Sequence, residues 1–133
     1  MNISTYLMKR GPSLNKARHS HGCSRIREHS IIVAGGAKNG PLISTEILRI
    51  EDLKWTIGTD LEEGVYLNKV IKSNVNDYIA YSIGGRTKHR VSSNIYGLNG
   101  NKNQWQLLGN MNEPRWHGSA VNAPSTLIPW CKI

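Results

Sequence analysis

The sequence has no phenylalanine and only two cysteines, Cys23 and Cys131, in 133 residues. Two cysteines so far apart are too few for a disulfide scaffold, and there is no Cys-x-x-C pair to predict zinc or redox chemistry. We therefore expect two free thiols in a reducing compartment, with one long-range disulfide as the alternative.

Long hydrophobic runs are also missing. No stretch approaches the roughly 18 apolar residues of a membrane-spanning helix, and the start of the chain lacks the basic and apolar regions of a signal peptide. The sequence therefore predicts a protein that neither spans a membrane nor is secreted by its own signal, and we expect it in the cytoplasm.

Acidic residues are few, because 9 Asp and Glu stand against 17 Lys and Arg, which gives a net charge of +8. The basic residues form local clusters, among them Arg86, Lys88 and Arg90. Three explanations of the charge are open: an acidic protein surface as partner, a nucleic acid, or solubility and protection of strand edges. No recognition motif or aromatic stacking platform accompanies the charge, which makes nucleic acid the weaker of the two partner hypotheses.

Signatures of catalysis are absent as well. The carboxylates include no isolated pair in an apolar setting, and Glu62 and Glu63 fall in a predicted turn. No nucleophile-elbow, phosphate-loop or dinucleotide motif occurs. His19 and His21 would share one face of a strand, but a metal site would need Cys23 and His117 as further ligands. We predict packing roles for His21 and His117, no metal, no cofactor and no enzymatic activity.

The sequence does contain an internal repeat of about 50 residues. A Gly-Gly doublet ends an apolar run at Gly35 and Gly36 and again at Gly84 and Gly85. A short alternating segment follows each doublet, in residues 45–50 and 93–98, and a tryptophan follows each segment, Trp55 and Trp105. One Gly-Gly alone would mean only a turn, but several markers that keep one spacing indicate a repeated structural unit.

A further marker occurs three times: a glycine, an apolar residue soon after it, and a position four residues beyond that. The copies are Gly11, Leu14 and Arg18; Gly58, Leu61 and Val65; and Gly109, Met111 and Arg115. A His-Gly pair follows the first and last copies, at His21 and His117, and is missing from the middle copy.

Runs of apolar and β-branched residues within each unit are bounded by Gly, Asn, Pro and Ser, which is typical of short strands. The predicted strands are 19–27, 30–36, 45–50 and 54–57 in the first unit, and 66–73, 78–84, 93–98 and 104–108 in the second. A stub near 5–8 and a last strand near 116–123 flank them. No stretch has a capped helical pattern, so we expect almost no helix.

This ordered set of markers resembles the kelch repeat, in the divergent invertebrate kelch-like form. The resemblance implies an all-β fold of antiparallel four-stranded propeller blades. Residues 1–18 would end a preceding blade, 19–62 and 63–112 would form two complete blades, and 113–133 would hold the first strand of a further blade and the C-terminal tail. Because a closed propeller has four to eight blades, we expect a fragment or truncated product of a larger propeller, or a chain that self-associates through its open blade edges.

The repeated residues then have structural roles. Gly35, Gly36, Gly84 and Gly85 permit sharp turns, and Trp55 and Trp105 wedge between consecutive blades. The side chains expected to hydrogen-bond to loop carbonyls or to the next blade are Arg18, His21, Arg115 and His117.

For function, the resemblance implies a protein-protein interaction module of the substrate-adaptor or scaffold type, although no BTB or BACK region is recognisable in the sequence. The alternative is part of a carbohydrate-modifying kelch-propeller enzyme, a copper oxidase or sugar epimerase relative, for which no local motif matches. Kelch propellers present binding loops after their Gly-Gly doublets. The predicted partner-binding residues are therefore Arg86, Lys88, His89, Arg90, Lys38 and Asn39.

Overall fold

The computed structural model describes residues 9–122, so the predicted stub near 5–8 and Cys131 lie outside the described residues. Residues 9–122 form β-strands, turns and loops without a helix, which confirms the all-β prediction. In this part of the chain, nothing qualifies as a helix of the length and hydropathy needed to cross a bilayer.

The first four strands form one antiparallel sheet, called here the first sheet, in which each strand pairs with the next. These strands are β1 (Gly22–Arg27), β2 (Ser30–Ala34), β3 (Thr45–Arg49) and β4 (Lys54–Ile57). The apolar runs lie in β2 and β3, the two central strands, where both strand edges are paired.

The next four strands form the second sheet, with the same order and the same antiparallel pairing. They are β5 (Lys69–Lys72), β6 (Tyr78–Ile83), β7 (Asn94–Asn99) and β8 (Gln104–Asn110). The structure thus confirms eight of the predicted strands, and four of them form each sheet, as the repeat indicates.

Two strands begin three residues later than predicted. β1 begins at Gly22 rather than at 19, and β5 begins at Lys69 rather than at 66. The cause lies just before each strand, where Ser20 and Leu67 have φ of 55° and 57°. This left-handed backbone cannot continue a strand, so the ladder starts only after it.

The last strand, predicted near 116–123, is not formed in residues 116–122. Strands β1 and β5, which hold the corresponding position in the two sheets, bond to the strand that follows each of them in the chain. Within the described residues no strand pairs with 116–122, and a segment without a ladder is not a strand.

The strand register assigns two faces to each sheet, because residues paired directly across neighbouring strands point to the same side. The front face of the first sheet carries Cys23, Ile31, Leu48 and Trp55, and that of the second carries the equivalent Val70, Ala80, Leu98 and Trp105. The back faces carry Ile32, Ala34 and Ile47 in the first sheet, and Tyr81, Ile83 and Ile95 in the second.

The core lies where the back face of the first sheet packs on the front face of the second. Ile32 and Ala34 are fully buried there, in one cluster with Val70 and Trp105. The inner strands approach closely, since a Cβ added at Gly22 would lie 2.5 Å from Cγ2 of Val70. The two sheets are therefore stacked face to face and share one hydrophobic core.

Three connecting segments, residues 11–20, 58–67 and 111–117, hold equivalent places beside the sheets. The N–H of Leu67 donates to the carbonyl of Ser20 at 2.7 Å, and the N–H of His117 donates to the carbonyl of Leu67 at 3.3 Å. All three of these residues have positive φ. The backbone therefore aligns His117 with Ser20, one position before His21.

Candidate functional site

The two Gly-Gly doublets turn the chain from β2 and β6 into the loops predicted to bind a partner. All four glycines have positive φ, between 58° and 101°. A Cβ at Gly36 would lie 2.8 Å from the carbonyl oxygen of His19, and one at Gly85 would lie 2.8 Å from that of Tyr66. Glycine is required here because any side chain would be strained and would collide with a connecting segment.

The first loop, residues 37–41, is anchored by its ends. Ala37 forms bridges with His19 and with Pro41, and Asn39 has φ of 57° at the tip. Lys38 and Asn39 are exposed, and they line a shallow cavity of about 350 Å³ with the connecting segment at 17–19. The structure thus places both predicted residues on an open but rigidly held loop.

The second loop, residues 86–91, is organised by a buried threonine. The Thr87 hydroxyl accepts from the N–H groups of His89 at 3.3 Å and Arg90 at 3.1 Å. These bonds hold the tip of the loop, as serine and threonine hydroxyls commonly do in turns. Consequently Lys88, His89 and Arg90 all present exposed side chains.

The cations of this second loop have different surroundings. Arg90 lies 3.4 Å from Glu63, an ion pair exposed enough to contribute little. The guanidinium of Arg86 lies 5.3 Å from the ring centre of Trp116, which is cation–π geometry. The side chains of Lys88 and His89 make no hydrogen bond or ion pair within residues 9–122. These two residues are the ones most available to a partner.

A groove connects the two loops. Lys88 and His89 line it on one side, and Pro41, Ile43 and Glu63 line it on the other, around a volume of about 240 Å³. We call the surface made of residues 37–41 and 86–91, with Ile43, Glu63 and Trp116, the loop face. It combines exposed cations with a small apolar strip.

Sequence reasoning missed Glu63 and Trp116 on the loop face and Thr87 beneath it. For Trp116 a signal existed, because His19, Tyr66 and Trp116 follow the equivalent residues Arg18, Val65 and Arg115. A ring side chain thus recurs at one position in all three connecting segments. The first unit has Lys38 and Lys16 at the positions equivalent to Thr87 and Glu63, so the repeat does not indicate these two residues.

The two repeated tryptophans occupy equivalent sites, as the spacing predicts. The indole N–H of Trp105 donates to the carbonyl of Thr59 at 3.0 Å, and that of Trp55 donates to the carbonyl of Pro12 at 3.0 Å. Trp105 is fully buried between the two sheets, as expected of a wedge, whereas Trp55 is half-buried. Among the described residues, no sheet covers Trp55 from the front.

Arg18 bonds to loop carbonyls, as the sequence predicts. Its buried guanidinium donates to the carbonyls of Gly35 at 2.8 Å and Ser44 at 2.7 Å, and it lies 2.9 Å from a carboxylate oxygen of Glu46. The side chains of Arg18 and Glu46 are 0% and 2% exposed. The pair therefore ties the first connecting segment to the first Gly-Gly turn.

Glu46 accepts two further bonds, from the backbone N–H groups of Asn15 at 2.7 Å and Lys16 at 3.0 Å. Burial by itself would raise the pKa of Glu46, but the N–H groups of Lys16 and Asn15 and the Arg18 guanidinium outweigh it. The pKa of Glu46 consequently lies below its ordinary value. The charged side chain holds the first connecting segment on the sheet.

The other predicted signature residues make fewer side-chain hydrogen bonds than Arg18 does. Nδ1 of His21 is buried and has no hydrogen-bond partner in residues 9–122, so the expected bond is not found at that atom. Burial, and then the charge of Arg18, lower the pKa of His21. The side chains of Arg115 and His117 are exposed, and the hydrogen bonds of these two residues are made by their backbones.

Among residues 9–122, no three or more His, Cys, Asp and Glu side chains gather closely enough to hold a metal ion. The chain matches no protein-family model, and no curated protein is significantly similar to it in sequence. The internal repeat and the geometry above are therefore the basis for a functional proposal.

Proposed function

We propose that this chain is a protein-interaction module, part of a kelch-like propeller of the substrate-adaptor or scaffold type, that binds an acidic segment of another protein through its loop face. The repeat markers, and two stacked four-stranded antiparallel sheets that follow the repeat, support the kelch part of the proposal. The cytoplasm is the proposed location, supported by the small number of cysteines in the sequence.

The observation that carries the binding proposal is the exposure of the basic side chains on the loops. Lys88 and His89 are exposed on a loop that Thr87 holds in place, and Lys38 extends from the neighbouring loop. A rigid loop loses little conformational entropy when a partner binds. Pro41 and Ile43 add an apolar strip beside the cations, which suits a peptide with both acidic and apolar side chains.

A test can use a fluorescent synthetic peptide of alternating Glu and Leu residues, with binding followed by anisotropy. We expect the charge reversals Arg86→Glu, Lys88→Glu and Arg90→Glu, combined in one variant, to weaken binding at least about tenfold, because attraction becomes repulsion at the loop face. Lys88→Glu alone should account for most of the loss, since Arg90 already faces Glu63. The circular dichroism spectrum should keep its β signature.

Lys102→Glu is the matched control, because Lys102 is an exposed lysine in the β7–β8 turn at the opposite end of the second sheet. If Lys102→Glu weakens binding as much as Lys88→Glu does, the peptide responds only to net charge. If the combined loop variant binds the peptide as the unaltered chain does, the loop face is not the binding site. Tighter binding of a single-stranded oligonucleotide than of the peptide would favour the nucleic-acid alternative instead.

A further inference from the structure

We propose that a second copy of this chain stacks with the front face of its first sheet on the back face of the second sheet. The association is head to tail, through two different faces, rather than edge to edge through strand pairing. The argument rests on the contact that the chain already makes between its own two sheets.

The back face of the second sheet has the properties of a face that is normally covered. In the first sheet the equivalent residues Ile32 and Ala34 are both 0% exposed, because the second sheet covers them. Tyr81 and Ile83 hold these positions in the second sheet and are half-buried. With Ile95 and Leu108 they line a largely apolar cavity of about 420 Å³.

The front face of the first sheet is its counterpart. In the second sheet the front residues Val70, Ala80, Leu98 and Trp105 are all buried against the first sheet. The equivalent residues of the first sheet are Cys23, which is exposed, and Ile31, Leu48 and Trp55, which are half-buried. Both outer faces therefore carry several apolar side chains, with Arg25 and Lys69 on their edge strands, and within residues 9–122 neither face is covered by another sheet.

Inside the chain, a back face packs on a front face. The two outer faces are also one front face and one back face, so they can pack in the same way. The internal contact therefore points to a second copy as the occupant, with the smaller Cys23 in the place of Val70 opposite Lys69, which is the equivalent of Gly22. Contacts between two different faces form a head-to-tail series, which closes when the rotation per copy allows it. With two sheets per copy, a ring of the usual size would hold about two to four copies.

The connecting segments decide how the copies fit. Residues 111–117 now lie on the second sheet, where the N–H of Met111 donates to Ser93 at 2.7 Å and the N–H of Gly85 donates to Arg115 at 2.8 Å. In a stacked pair, residues 14–20 of the second copy would need this place, because the two segments are equivalent.

In the stacked pair, residues 111–117 leave their place on the second sheet. The side chain of Arg115 is exposed, whereas its equivalent Arg18 is buried and bonded to Glu46 and two carbonyls. The second copy's segment therefore stays on its own sheet. Its Leu14 and Arg18 backbones then take over the bonds that Met111 and Arg115 make in the single chain.

The test uses one variant for each face, Ile95→Lys on the back of the second sheet and Ile31→Lys on the front of the first, studied by sedimentation velocity. We expect the unaltered chain to associate as its concentration rises, and each variant alone to remain a monomer. An equimolar mixture of the two variants should form a one-to-one dimer, because one intact face of each kind remains.

Each alternative gives a different pattern. Back-to-back pairing would leave Ile31→Lys associating on its own, and pairing of strand edges would leave both variants associating. Either pattern, or an unaltered chain that stays monomeric at every concentration, overturns the proposal. Val75→Lys, which changes an exposed residue of the β5–β6 turn outside both faces, should associate as the unaltered chain does.

Cys23 provides a second readout that needs no substitution in either face. Its equivalent Val70 is 5% exposed at the internal contact, so stacking should shield the Cys23 thiol. Alkylation of the peptide that contains Cys23, followed by mass spectrometry, should slow severalfold at concentrations where the chain associates. Association without any such protection would contradict stacking on the front face.

Discussion

The first and second sheets share one backbone frame and differ in the side chains that fill it. Both have the same strand order, paired glycines of positive φ and a tryptophan that donates to a connecting segment. At two equivalent positions, however, the first sheet has the buried pair of Arg18 and Glu46, and the second has Val65 and Tyr96.

The difference separates two kinds of constraint. At the two Gly-Gly turns the backbone combines positive φ with a close approach to a connecting segment, so these positions accept only glycine and repeat. Positions that fill space between a connecting segment and a sheet accept either a fully bonded ion pair or an apolar pair, since both leave no unsatisfied buried charge. The repeat is thus preserved in the backbone, whereas the side chains packed between the connecting segment and the sheet vary.

The largest expected effect tests the equivalence of the two tryptophans. Trp105→Ala should lower the free energy of unfolding by about 4 kcal/mol, because it removes a fully buried ring from the core. Trp55→Ala should cost about 2 kcal/mol, because its half-buried ring loses less buried surface. Urea unfolding followed by circular dichroism measures both. Equal losses would contradict the difference in burial.

The next effect tests whether the pair of Arg18 and Glu46 can be replaced by the residue types of Val65 and Tyr96. Glu46→Ala should cost about 3 kcal/mol, since it leaves the guanidinium of Arg18 buried without its carboxylate. The double variant Arg18→Val with Glu46→Tyr copies the second sheet and removes both charges together. We expect the double variant to lose less than Glu46→Ala does, in the same urea experiment.

The single variants Arg18→Val and Glu46→Tyr complete a double-mutant cycle with this pair. Each single change leaves one buried charge, so their separate costs should sum to more than the cost of the double variant. Additive costs would mean that Arg18 and Glu46 have no coupling energy. The pair would then not act as one unit that the apolar pair of the second sheet replaces.

The strands, the glycine turns and the tryptophan sites were predictable because the repeat places the same residue types at the same backbone positions. The ion pair was not, because Arg18 and Glu46 are 28 residues apart and meet only after the connecting segment folds back. The pairing of Arg90 with Glu63 depends on a similar long-range contact between a loop and a connecting segment.

The alignment of His21 with His117 shows another limit of sequence reasoning. Identical letters favour that match, but the backbone places His117 with Ser20 and Leu67 at one left-handed position. Three different residue types occupy this position, so no composition signal indicates it. What these residues share is a backbone bond to the neighbouring connecting segment, from Leu67 to Ser20 and from His117 to Leu67.

The smallest expected effect is a pH dependence that the two sheets do not share. His21 has its pKa lowered by burial and then by Arg18, and the equivalent residue of the second sheet is Asn68, which does not titrate. A lowered pKa means that the unfolded chain binds the proton first. The contribution of His21 is therefore fully present above its ordinary pKa of 6.5 and is lost as the pH falls further.

His21→Asn copies the second sheet and should flatten the fall in stability just below pH 6.5. A second fall, below the ordinary pKa of 4.5 for Glu46, should persist in this variant, because the lowered pKa of Glu46 follows the same sign rule. Thermal unfolding across this pH range, compared between the unaltered chain and His21→Asn, measures both falls. An unchanged slope near pH 6 would mean that His21 is protonated equally in the folded and unfolded chains, and the buried imidazole would then not distinguish the two sheets.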